Sequence, residues 1–247
     1  MFVAASTRCF VEKSFREACF LLDDMGFDKV ELWFDAARKH LPLNEVLADV
    51  DGFVTRFRDA TRLAPIAISL EADLPLAEFK CVSRLAKQLR IAQITVPSAP
   101  LGTPFNSEVD RLRDLLRVGS EDGVLVSIKT LTGRLTEDPD TAVELCRAVP
   151  GLGITFDPSY LLCGPRHTEE SEQSLPYIYH VNLRDSTPES IQVPAGLGQL
   201  DYSRLISQLE RTNYRRALSI EILPELMPEA ERPIELRKIR LLLESLL

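Results

Sequence analysis

The chain has 247 residues, 45% of them apolar and 27% charged, and a formal net charge of −8. Such a composition suits a globular protein with a large core, and the acidic balance without a local basic cluster argues against a nucleic-acid surface. No apolar run is long enough for a bilayer, and Arg8, Glu12 and Lys13 come too early for a signal peptide, so a cytoplasmic protein is expected.

Residues 2–6 (FVAAS) form a short apolar run that reads as a first strand. Phe15, Cys19 and Leu22 then share a helical face that Gly26 ends. KVELW (29–33) is the second strand, and Val46, Val50, Phe53 and Phe57 mark one helix stopped by Pro65. IAISL (66–70) is strand 3 and leads to Glu71; Phe79, Val82, Leu85 and Leu89 follow at helical spacing. AQITV (92–96) is strand 4, and a helix over about 107–118 carries Leu112, Leu115 and Leu116. VLVSIK (124–129) is strand 5, with Ala142, Leu145, Cys146 and Val149 on the helix behind it.

GITFD (153–157) is strand 6, and the polar stretch to Pro176 gives only a weak helical signal. In Tyr179–Tyr202, His180, Asn182 and Arg184 alternate with Val181 and Leu183, so strand 7 has one polar face. It opens into a loop with Gly196 and Gly198. Leu205, Ile206 and Leu209 mark the next helix, ALSIE (217–221) is strand 8, and Leu236, Ile239, Leu243 and Leu246 face the core from the last helix. Eight strand–helix alternations in one unbroken domain, 1–247, predict a closed (β/α)8 barrel, with an open doubly wound sheet as the alternative. The five cysteines include no C-x-x-C pair, and those at 19, 81 and 146 read as small buried hydrophobes of a reduced compartment.

A barrel of this kind keeps its chemistry at the C-terminal strand ends. The candidates there are Ser6, Glu31, Glu71, Lys129, Asp157, Asn182, Arg184, Asp185 and Glu221. Each alone is more often a turn residue or a rim ion pair, and Asp157-Pro158-Ser159 is a common turn opening. Four consecutive strands ending in polar groups at one mouth make a site the better reading.

GFDKVEL (26–32), GITFDPSYL (153–161), HVNLRDS (180–186), VPAGLGQLDY (193–202) and ALSIEI (217–222) together resemble the xylose isomerase-like TIM barrels. That family includes sugar phosphate isomerases and epimerases and endonuclease IV. The resemblance implies a divalent metal (Mn, Mg or Zn) held by Glu, Asp, His and Glu from strands 5 to 8. Asp157 and Glu221 fall on two of those positions, Lys129 replaces the strand 5 glutamate, and Asn182 replaces the strand 7 histidine. Tyr160 stands where a further histidine is common, and His180 shares the face of Asn182 but lies deeper.

Glu221, Lys129 and Asp157 are thus the expected catalytic set. Glu31, Glu71, Tyr160, His180, Asn182, Arg184 and Asp185 are the expected contacts to a sugar or sugar phosphate. Lys129, set between Asp157 and Glu221, would supply the positive charge of the metal, so a site without one is expected. A Schiff-base role for Lys129 is disfavoured, because neighbouring carboxylates keep an amine charged. Two readings stand: a sugar isomerase or epimerase, or a catalytically silent relative that binds a polyol, an anion or a protein partner. DNA repair is remote, since the chain has only three histidines.

Overall fold

The computed structural model describes residues 1–35, 40–164 and 172–247. Strands β1 (Phe2–Ser6), β2 (Lys29–Phe34), β3 (Ala64–Leu70), β4 (Gln93–Pro97), β5 (Leu125–Lys129), β6 (Gly153–Phe156), β7 (Ile178–Leu183) and β8 (Ala217–Ile220) pair in parallel and in sequence order. β8 returns to β1, with Phe2 beside Ala217 and Ala5 beside Ile220, so the sheet closes into a barrel. The open-sheet alternative is thereby excluded.

The outer shell is built from helices α1 (Phe15–Asp24), α2 (Leu43–Ala48), α3 (Val50–Ala60), α4 (Leu76–Leu89) and α5 (Phe105–Glu121), then α6 (Pro139–Ala148), α7 (Pro158–Leu162), α8 (Tyr202–Arg211) and α9 (Arg232–Leu246). α1 starts in a capping box: Glu17 N–H donates to Ser14 Oγ at 3.3 Å, and Ser14 N–H donates to Glu17 Oε2 at 3.0 Å. The single helix expected after β2 is two helices. Asp49 breaks it at φ −150° and caps α3 by accepting from Gly52 N–H at 2.9 Å. A Cβ on residue 52 would lie 1.9 Å from Asp49 Oδ2, so glycine is what lets the cap sit there.

Pro65 lies inside β3 rather than ending a helix; the β2–β3 register shifts beside its partner Val30, as suits a residue without an N–H. The weak signal after β6 resolves into the five-residue α7 and a 3-10 turn over Glu172–Tyr177; the rest of that stretch, with His167, lies outside the described residues.

The apolar core lies between strands and helices. Val30, Leu32, Ile68, Ile94, Val126, Ile128, Ile154, Val181 and Leu218 point outward from the barrel and are fully covered. Each such side chain contributes about 1.5–3 kcal/mol by leaving water. The barrel interior differs from the branched apolar filling usual for this architecture. At its centre Thr95, Ser127 and Thr155 join hydroxyls, at 2.8 Å for Thr95–Thr155 and 2.6 Å for Ser127–Thr155. A polar interior of small side chains leaves room for longer charged ones at one end.

Candidate functional site

At the C-terminal end of the barrel, Glu221 directly follows β8 and is wholly buried. Three cations converge on its carboxylate. Arg8, two residues beyond β1, donates from Nη1 to Oε1 at 2.8 Å. The Lys129 ammonium, at the end of β5, donates to Oε2. Arg184 brings Nη2 to 3.3 Å from the same oxygen, and donates from Nε to the Glu221 carbonyl at 2.9 Å.

Asp157 follows β6 and has two jobs. Its Oδ1 caps α7 by accepting from Ser159 N–H at 3.1 Å and from the Ser159 hydroxyl at 2.5 Å. Its Oδ2 lies 2.8 Å from Arg184 Nη2, in an ion contact. The turn reading and the site reading of Asp157 therefore both hold, one on each oxygen. Arg184 lies within ion-pair distance of both Asp157 and Glu221, while the Lys129 ammonium donates to Glu221 and feels the charge of Asp157. The alternation of β7 carries the Arg184 side chain inward, where it is 0% exposed.

The electrostatics follow from that geometry. Burial pushes the Glu221 carboxyl up, but Lys129, Arg8 and Arg184 together outweigh it and hold it far below the usual carboxylate range. Burial pulls the Lys129 ammonium down, yet Glu221 and Asp157 more than compensate, so it titrates above an ordinary lysine. A nucleophilic, neutral Lys129 is opposed by both partners. Arg8 is likewise raised against the effect of burial by Glu221 and Glu71, and Arg184 by Asp157 and Glu221.

Deeper in the barrel, Glu31 Oε2 lies 2.8 Å from His180 Nε2 and accepts from Asn182 Nδ2 at 2.9 Å. Burial pushes the Glu31 carboxyl up, but His180 outweighs it and the net shift is downward. Glu31 Oε1 and Asn182 Oδ1 are buried with no partner among the described residues. Glu71 is half-exposed at the rim, where it accepts from Trp33 Nε1 at 3.0 Å and lies 3.5 Å from Arg8. Glu225, also half-exposed, lies 3.5 Å from the other face of Arg8. The Tyr160 ring sits 5.4 Å from the Arg184 guanidinium carbon, and Ser6 accepts from Arg8 N–H at 3.3 Å.

Two expected ligand contacts are placed elsewhere. Asp185 faces its own loop: Oδ2 accepts from Gly196 N–H at 2.8 Å and Gly198 N–H at 3.0 Å. A Cβ on residue 198 would lie 1.8 Å from Asp185 Oδ1. The glycine pair thus serves an internal anchor, and those N–H groups are not offered to a ligand. His180 points below the charged cluster and is used by Glu31. Arg8, Trp33 and Ser159 belong to the site and were not singled out from the sequence. No strand pattern marks Arg8, which lies in a 3-10 turn over Thr7–Phe10.

Among the described residues, no three His, Cys, Asp or Glu side chains gather as a metal site would need. The sequence model of the xylose isomerase-like TIM barrels matches residues 20–241. The chain belongs to that family. No individually curated protein matches it in sequence.

Among solved structures, a xylose isomerase domain protein from Planctomyces limnophilus is 19% identical, with a TM-score of 0.74 over 100% of this chain and 96% of that one. The Methylomonas D-allulose 3-epimerase in complex with D-allulose is 11% identical, with a TM-score of 0.76 over 100% and 97%. The probable 3-DHS dehydratase AsbF of Bacillus anthracis is 17% identical, with a TM-score of 0.73 over 97% and 98%. At these identities the likeness is one of fold. Among the described residues, no helix of this xylose isomerase-like barrel is long and apolar enough to cross a membrane.

Proposed function

We propose that this barrel binds a sugar or sugar phosphate at its C-terminal mouth through fixed protein cations that stand in for the family's metal. One observation carries the reading: the Glu221 carboxylate is already held by Arg8, Lys129 and Arg184. Every carboxylate oxygen of Asp157 and Glu221 faces a protein donor or cation. A divalent ion would have to displace these groups and then sit against an ammonium and two guanidiniums. The residues present do not fit it.

The same contacts make Glu221 a poor general base, because a catalytic base works best with its pKa near the operating pH. An anionic ligand instead competes with Glu71 and Glu225 for the outer edge of Arg8, whose Nε is buried without a partner. The unpartnered acceptors Glu31 Oε1 and Asn182 Oδ1 suit sugar hydroxyls. D-Allulose, the ligand named for the Methylomonas epimerase, is such a polyol.

The second reading is isomerase or epimerase turnover, favoured by Asp157 and Glu221 standing at the family's ligand positions. Calorimetric titration with ketoses and their phosphates, run beside deuterium exchange from solvent into the sugar C–H bonds, separates the two. Saturable binding without exchange supports the binding role. Exchange that disappears in Glu221→Gln would establish proton transfer instead, and absence of binding by every sugar and sugar phosphate would remove both readings.

A further inference from the structure

The opposite end of the barrel holds a cavity of about 290 Å³, lined by the N-terminal ends of six strands. That lies near the lower end of the range for small-molecule sites, about 300–1,000 Å³. Phe2, Ile66 and Leu125 form apolar walls, together with the Tyr179 ring. Tyr179 can lie there only because residue 153 is glycine: a Cβ at that position would sit 2.1 Å from the ring.

The inner end of the cavity is polar. Gln93 and His180 line it, and both are almost completely buried. The Gln93 amide nitrogen donates into the central hydroxyl cluster, to Ser127 at 2.5 Å and Thr95 at 2.7 Å. Its Oε1 is buried without a partner. A buried amide oxygen left unpaired costs about 1–3 kcal/mol. It is an acceptor closed to water, which a ligand hydroxyl reaches only when the Gln93 amide turns toward the cavity.

The outer end is cationic. Arg90 and Arg216 line it, both on the exposed surface, and Arg216 stacks over the Tyr179 ring at 4.8 Å. Arg90 holds the left-handed conformation, φ +59°, at the end of α4. None of the described lining residues is acidic, although the chain has 37 acidic against 29 basic side chains. Two arginines without a lining carboxylate, above an apolar barrel and a buried acceptor, describe a ligand with three parts.

We propose that this cavity binds a small carboxylate with an apolar body and a hydroxyl at its far end. The carboxylate pairs with Arg216 and Arg90, the apolar body fills the space between Phe2, Leu125 and Tyr179, and the hydroxyl donates to Gln93 Oε1. The cavity opens at the other end of the barrel from the mouth, and His180, which lines it, is joined to Glu31.

The probe is 4-hydroxycyclohexanecarboxylate, titrated calorimetrically into the full chain. Saturable binding with a Kd of about 1 mM or tighter is expected. Cyclohexanecarboxylate should bind several-fold more weakly and the neutral cyclohexylmethanol at least about tenfold more weakly. Arg216→Gln should weaken the carboxylate at least about fivefold, and Ala92→Trp, which fills the cavity from an exposed lining position, should abolish it. Both variants should melt within a few degrees of the native protein, which shows that the fold survives. Failure to saturate by about 10 mM would overturn the proposal. So would binding that neither variant alters, or equal affinity for the neutral alcohol.

Discussion

The two ends of the barrel are built from the same strands and do opposite things with charge. β5 starts at Leu125 and ends at Lys129, β6 runs from Gly153 to the aspartate beyond Phe156, and β8 from Ala217 to the glutamate beyond Ile220. At the mouth, Arg8, Lys129 and Arg184 are buried and tied to Asp157 and Glu221. At the base, Arg90 and Arg216 are exposed and line a mainly apolar hollow with no acid among its described lining residues. The hydroxyls of Thr95, Ser127 and Thr155 lie between the two. Cations therefore have a large structural duty at one end and a small one at the other, and that difference can be measured.

The largest expected effect is Arg184→Ala. It strips the bridge from two buried carboxylates, and removing one partner of a buried ion pair costs about 3–5 kcal/mol. Arg216→Ala at the base removes an exposed cation–π contact and should cost about 0.5–1 kcal/mol. Urea unfolding of the two variants side by side checks this, and equal losses would erase the distinction.

Acid should act next, and on the mouth rather than the base. Glu221 is depressed in the folded chain, so the stability it contributes is fully present above its unfolded value of 4.5 and is lost as the pH falls from there toward the folded value. Each pH unit in that window removes about 1.4 kcal/mol for such a group. Unfolding free energies at pH 5 and pH 3 should differ less in Glu221→Gln than in the native chain, with Glu31 supplying part of the remaining slope. An unchanged slope would show that Glu221 is not the depressed group.

A third test rewrites the mouth. Lys129→Glu with Asn182→His restores the family's ligand types beside Asp157 and Glu221. The double variant without metal should be less stable than the native chain, because carboxylates then crowd together. Mn²⁺ at a hundredfold excess over its Kd should return about 2.7 kcal/mol to the variant and leave the native melting temperature unmoved. A matching response from the native protein would mean that its cations yield to a metal.

The smallest effect is at the rim. Glu225→Gln frees one side of Arg8 from a half-exposed partner, a contact worth about 0–1 kcal/mol. Anionic sugars should then bind up to a few-fold more tightly by calorimetry, with neutral polyols unchanged. A weaker anion response would place Glu225 in direct contact with the ligand.

The fold was legible in the sequence because barrel strands and their helices are local patterns. Runs such as VLVSIK and the spacing of Phe79, Val82, Leu85 and Leu89 each need only a short window. Asp157, Lys129 and Glu221 were legible because each ends a strand. The misreadings come from contacts between distant segments or from local competition. Asp49 prefers capping α3 to continuing a helix, and Asp185 prefers the N–H groups of its own loop to a ligand. Arg8 was passed over because its partner is 213 residues away. The base cavity left no mark at all, since Gln93 and His180 look like ordinary inward strand residues until six strands are brought together.

The pairing of Arg8 with Glu221 also sets a timetable for the chain. The two residues lie 213 apart in sequence, so Arg8 has no Glu221 to meet until β8 docks on β1. A half-built barrel would hold Arg8 and Lys129 without the acid that neutralises them, and burying them early would be penalised. The ion cluster thus favours seven waiting strands over seven prematurely closed ones, and contacts of such sequence separation form slowly. Refolding of this chain should show its charged cluster, followed through Trp33 beneath Arg8, as the last signal to reach its native value.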